Sequence, residues 1–285
     1  MARTGQRQGF GKTIAGVLIA GLVASGAFGE EAAQPVEPAA PTQPSPVPAP
    51  YSSECQGGST EIVTESPLPH VAAALQKRQT VRILAIGASA GRRQGGYTGQ
   101  IERLLKQAVK GIKVVIINRG VSGELAADAA HRIRNEVALA SPDLVIWQVG
   151  TNDALTFVPL DDFGYTVKTT IKWLKEHNVD VVLAGLQFVA RVSQDDHYYR
   201  VREILRELAA KENVMVIRRY EATQFIASMQ EADGGFVPDE FERTEAGYSC
   251  LAQYLASAIT LGAFGKGMSS RPLRSDKQPP PQQAK

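Results

Sequence analysis

Between residues 80 and 217 the chain switches repeatedly between two hydrophobic periods, and this restricts its fold more than any other feature. Short runs rich in β-branched residues stand at Val81–Ile86, Val114–Ile117, Leu144–Val149, Val179–Leu183 and Val214–Ile217. Each is apolar almost without interruption, as suits a strand buried on both faces of a parallel sheet. Helical spacing fills the intervals. Tyr97, Ile101, Leu104 and Leu105 share one helix face, and Val201, Ile204, Leu205 and Leu208 share another. Five strands alternating with helices predict an α/β protein: a three-layer α/β/α sandwich on a five-stranded parallel sheet, flavodoxin-like in strand order.

Folds of this kind bind ligands beyond the carboxyl ends of their strands, so the residues that follow each run carry the functional information. Gly87-Ala88-Ser89-Ala90-Gly91 follows the first run. A serine between small residues at a strand-to-helix turn can expose its hydroxyl above the sheet. Asn118-Arg119-Gly120-Val121-Ser122-Gly123-Glu124 follows the second, and its glycines let backbone N–H groups approach a ligand closely. Gly150-Thr151-Asn152-Asp153 follows the third and places an amide side chain on the same rim. A nucleophile and two kinds of oxyanion donor are the parts that acyl transfer needs.

In these segments the chain resembles the SGNH/GDSL hydrolases. Ile83–Ser89, the Gly123 turn and the stretch from Pro142-Asp143-Leu144-Val145-Ile146 through Gly150-Thr151-Asn152-Asp153 look like the family's first three motif blocks, and the likeness spans roughly residues 80–262. The usual Gly-Asp-Ser is here Gly87-Ala88-Ser89. The resemblance implies that Ser89 is the nucleophile. It also implies that the Ser89 and Gly123 N–H groups and the Asn152 side chain form the oxyanion hole, with Gly120 offering a competing register for Gly123.

The last block departs from the pattern. Counted back from Gly247-Tyr248, Asp239 falls on the family's aspartate, but Glu242 stands where the family has histidine. A serine hydroxyl is a poor nucleophile without a positioned base, and loss of a triad histidine can cost about 10⁶ in kcat. Three accounts remain open. In the first, His197 supplies the base, because it alone among the histidines follows a strand end on the catalytic edge. His177 and His131 fall within or at the end of helices, and His70 precedes the first strand. Asp195 and Asp196 stand beside His197 and can orient it. In the second, Glu242, with Asp239, is the base, which requires burial or a neighbouring carboxylate to raise its pKa. In the third, the site binds an envelope glycan without hydrolysing it.

The remaining signals exclude more than they assign. Arg92 and Arg93 read as a solvated loop with the capacity to meet an anion. Gly91–Gly96 lacks the lysine–hydroxyl ending of a phosphate loop. Asp195-Asp196-His197 has no companion cluster with metal-ligand spacing. Neither metal nor cofactor is expected.

The termini differ in composition from the domain. Arg3, Arg7 and Lys12 precede an apolar run from Ile14 to Phe28, and Ala27 and Gly29 are small, so residues 1–29 read as a secretory signal peptide. Residues 30–54 are a Pro-rich linker, 55–265 the hydrolase-like domain and 266–285 a disordered basic tail. Without Arg3, Arg7 and Lys12 the formal charge falls by three, from +2 to −1, which leaves no field to steer the chain onto nucleic acid. Membrane contact is expected only transiently, through the signal segment. In an oxidising compartment Cys55 and Cys250 can pair. The expected product is a periplasmic or extracellular serine esterase or acyltransferase, and its partner an ester-bearing small molecule or an acylated glycan.

Overall fold

The computed structural model describes residues 50–56, 62–87, 96–232, 241 and 244–265. The predicted signal segment, most of the predicted linker and the predicted tail lie outside the described residues. All five strands form: β1 (Thr80–Ile86), β2 (Lys113–Asn118), β3 (Leu144–Gln148), β4 (Asp180–Ala184) and β5 (Met215–Ile217). They pair in parallel in the order β2-β1-β3-β4-β5, the flavodoxin-like order. The helices are α1 (Pro69–Arg78), α2 (Tyr97–Ala108), α3 (Ala126–Ala140), α4 (Thr151–Leu155), α5 (Leu160–Glu176), α6 (Asp196–Lys211), α7 (Arg219–Ala232) and α8 (Glu245–Phe264).

Strand alternation explains the three layers. Ile83, Ala85, Ile146, Ala184 and Ile217 point to one side, where α1, α2 and α8 cover them with Val71, Ile101 and Leu255. Leu84, Ile86, Trp147, Leu183 and Val216 point to the other, against Ile133, Val167 and Val201 of α3, α5 and α6. Because both faces are covered, each strand is apolar throughout rather than alternating. No helix among the described residues is long and apolar enough to cross a membrane.

Two features close the sheet from outside. Residues 62–64 run antiparallel beside β5: Val63 pairs with Ile217, the Arg218 N–H donates to Ile62 O at 2.7 Å, and the Thr64 N–H donates to Val216 O at 3.1 Å. This strap occupies hydrogen-bonding groups that an open edge would leave exposed. Further back, Cys55 is bonded to Cys250. The Tyr254 hydroxyl donates to Cys55 O at 2.6 Å, and Tyr51 meets the Tyr254 ring edge-on at 5.0 Å. The bridge spans 195 residues of sequence. Closing so long a loop in the unfolded chain stabilises the fold by about 5 kcal/mol in the entropic account. Replacing both cysteines by serine should therefore lower unfolding free energy by several kcal/mol in urea titration, about as much as reducing the wild type does.

Asp180 opens β4 at the amino edge, and its carboxylate accepts the Val71 N–H at the start of α1, 2.9 Å away. Burial outweighs that bond and raises its pKa to about 6. The neutral form is then favoured in the native state. As pH rises from about 4 to about 6 the unfolded chain loses this proton first, and the group's contribution to stability falls across that window. Asp180→Asn keeps an acceptor for Val71 and never ionises. Urea unfolding at pH 4 and pH 7 should show the variant gaining on the wild type by roughly 1–2 kcal/mol.

Candidate active site

The parallel order brings the carboxyl ends of all five strands to one edge, and β1 and β3 leave it side by side. Gly87 follows β1 at φ 113°, and a Cβ placed there would lie 2.3 Å from the carbonyl oxygen of Gln148. Only glycine permits that contact, so the chain leaves β1 pressed against the end of β3. Ser89, Arg92 and Arg93 come next in the sequence and lie outside the described residues, as do Asp239 and Glu242. Described residues stand between and after the last two. Phe241 is buried in the core, and Thr244 caps α8 by accepting the Gly247 N–H at 3.1 Å.

The turns that carry two of the predicted oxyanion donors are joined directly. The Asn152 amide donates from Nδ2 to the carbonyl of Glu124 at 2.9 Å, which fixes the third-strand turn to the residue after Gly123. Gly123 itself has φ 78°, with open space where a side chain would project. Gly120 gives its N–H to Asn118 Oδ1 at 3.0 Å, so the competing register has its donor committed. Glu124 is clamped from behind by Arg132, whose Nε and Nη2 reach its two carboxylate oxygens at 2.6 and 3.0 Å.

Asp153, which follows Asn152, is 2% exposed and accepts the Ala126 N–H at 2.9 Å. Burial pushes its pKa up against the backbone bonds that lower it. The carboxylate therefore ties the start of α3 to α4, and with it the two donor turns. Thr151 Oγ1 accepts the Gln187 N–H at 3.0 Å and links the exits of β3 and β4. Gly150 has φ 102°, and a Cβ there would lie 2.6 Å from Leu186 Cδ1. Sequence reasoning recognised this motif, but the joining role of Asp153 depends on contacts distant in the chain.

The structure separates the four histidines. His70 begins α1 at the amino edge, near Asp180. His177 closes α5 before β4 and stacks on Trp173 at 3.9 Å, again away from the carboxyl edge. His131 is exposed on α3. His197 lies in the first turn of α6, at the carboxyl edge, with its ring 5.2 Å from Phe157 in the loop after α4. Its Nε2 is buried without a hydrogen-bond partner. Asp195 does not orient this ring, because its carboxylate caps α6 by accepting the Tyr198 N–H at 2.7 Å, and Asp196 is exposed. Among the described residues no group of three or more His, Cys, Asp or Glu side chains gathers to hold a metal.

A pit of about 40 Å³ opens beside Asn152, lined by Glu124, Gln148, Thr151, Gln187 and Arg219 among others. Arg219 is 4% exposed and begins α7 just beyond β5. Neither Gln148 nor Arg219 stands out in the sequence, since both sit inside apolar or helical runs. A larger cavity of about 290 Å³ lies between the strap and the end of α8, walled by Val63, Pro67, Met215 and Leu261. It is mostly apolar and shares no residue with the pit.

A family model described as the non-GDSL lipase-like family matches residues 54–264. No curated protein sequence matches the chain. Among solved structures the fold is similar to that of an acetyl xylan esterase, AlAXEase, with 22% identity and a TM-score of 0.52 over 63% of this chain and 100% of that one. It is also similar to a variant of an acetyl xylan esterase from Geobacillus stearothermophilus, with 19% identity and a TM-score of 0.50 over 65% of this chain and 95% of that one. These likenesses agree with the α/β architecture read from the sequence.

The two edge glycines should respond differently to alanine. Gly87→Ala combines a positive φ with overlap on backbone atoms and should destabilise by about 2–4 kcal/mol. Gly123→Ala meets only the conformational penalty, about 1–2 kcal/mol. Unfolding titrations of both variants check that order.

Proposed function

The chain belongs to the non-GDSL lipase-like family, and on that premise we propose that it is an exported serine ester hydrolase acting on short acyl esters of an envelope glycan. The observation that carries this reading is the 2.9 Å bond from Asn152 to Glu124 O, which holds both oxyanion-donor turns together beside the exit of β1. Ser89 follows Gly87 by two residues, a reach of at most about 7 Å along the chain. Its hydroxyl attacks the ester carbonyl and gives its proton to a base. The carbonyl oxygen gains negative charge against the N–H groups of Ser89 and Gly123 and the Asn152 amide. Collapse expels the alcohol, and water then releases the acid from the serine.

Pit size supports a short acyl group. At roughly 10–15 Å³ per water-sized occupant, the space holds about three such groups, enough for an acetyl but not for a long chain. The acetyl xylan esterases that share the fold act on substrates of that kind. Export is supported by the basic-then-apolar N-terminus and by a disulfide, which persists in oxidising compartments.

Two groups compete for the role of base. His197 stands at the correct edge with an unpartnered ring nitrogen, and Glu242 takes the motif position of the usual histidine. His197→Ala and Glu242→Gln separate them, because the variant that keeps the wild-type rate excludes its residue. A second reading, a module that binds acylated glycan without turnover, is favoured by that same glutamate. Turnover of p-nitrophenyl acetate decides between the two. The wild type should hydrolyse it, and Ser89→Ala should reduce kcat toward background, by up to about 10⁶-fold. An inactive wild type, or activity untouched by Ser89→Ala, would sink the hydrolase reading.

A further inference from the structure

Gln148 ends β3 and falls on the side of the sheet that Leu144 and Ile146 share with α2 and α8. It is 8% exposed, and neither Oε1 nor Nε2 has a hydrogen-bond partner. Leaving a buried polar group unpaired costs about 1–3 kcal/mol, so a methionine of similar shape would suit the fold better. The close contact with Gly87 involves the backbone and Cβ of Gln148, and gives no reason for an amide. Tyr97, the first residue of α2, is also fully buried with an unpartnered hydroxyl. It lies within electrostatic reach of Arg219, which lines the pit together with Gln148 and Asn152. Buried polar groups are normally paired, and an orphaned amide in the lining of a pit points to a ligand that supplies what the protein lacks.

The chemistry of the amide narrows that ligand. An open amide offers two N–H donors and a carbonyl acceptor. A carboxylate or a simple carbonyl would satisfy only the donors and leave Oε1 unpaired. Two neighbouring hydroxyls satisfy both ends, one accepting from Nε2 and the other donating to Oε1. We propose that Gln148 reads a free vicinal diol on the alcohol part of the ester, so that partially acylated polyols or sugars are preferred to simple alkyl esters. The inference rests on the ester-hydrolase reading and deepens it. At rest the amide atoms carry almost no accessible surface, so the side chain turns toward the pit as substrate enters. No hydrogen bond holds it back.

The test compares glycerol 1-monoacetate, which carries a vicinal diol, with ethyl acetate, which carries none. In the wild type the ratio of their kcat/KM values should favour the diol, and Gln148→Met should lower that ratio about tenfold. The same variant should melt at a higher temperature, because it removes an orphaned amide. An unchanged ratio, or a lower melting temperature, would overturn the inference. Should the wild type turn over neither ester, the hydrolase reading fails by itself. Saturation-transfer NMR with the same two esters then decides the role of Gln148. Diol contact weakened in Gln148→Met supports it, and equal contact with both proteins rejects it.

Discussion

The contact between the exits of β1 and β3 governs the rest of the molecule's chemistry. In the order β2-β1-β3-β4-β5 the chain reverses direction across the sheet between these two strands, and connections diverge to opposite faces there. A crevice opens where they part. Gly87 keeps the two strand ends at backbone contact distance, so whatever follows β1 is delivered beside whatever follows β3. A side chain at position 87 would separate them and with them the proposed nucleophile and the Asn152 amide.

Around that contact the site is stiffened by bonds between loops. Asn152 to Glu124, Asp153 to Ala126 and Thr151 to Gln187 tie the exits of β2, β3 and β4 into one rim. Arg132 pairs with the Glu124 carboxylate and so offsets a negative charge carried by a residue of the rim. Preorganised donors of this kind stabilise developing charge without reorganising when it appears. Gln148 is the opposite case, a group whose bonding capacity the resting protein leaves unused.

Most of the fold was legible because hydrophobic period is a local property. Each β-branched run became a strand within a residue or two of its expected limits, and both helical faces pack on the core, with Leu104, Ile204 and Leu208 only partly buried. Gly123 and Asn152 drew notice as candidates through motif spacing, and the nearness of their turns followed once the strands were parallel. The strap at Ile62–Thr64 was not, because three residues carry too little periodic signal and pair only with an edge formed far along the chain. Asp195 was misleading for a related reason. Beside His197 in sequence it suggests a partner for the ring, whereas an aspartate before a helix caps backbone N–H groups more readily than it reaches a neighbouring side chain.

Local order in the residues was enough to determine a parallel three-layer sheet and the edge at which its strands end together. Tertiary structure alone decided which carbonyl holds Asn152, that residues 62–64 strap the edge of β5, and that Gln148 and Arg219 share a pit. The division has one physical cause. Periodicity and turn chemistry act over a few neighbouring residues, but a hydrogen bond between loops or an unpaired amide exists only after packing has brought distant segments together.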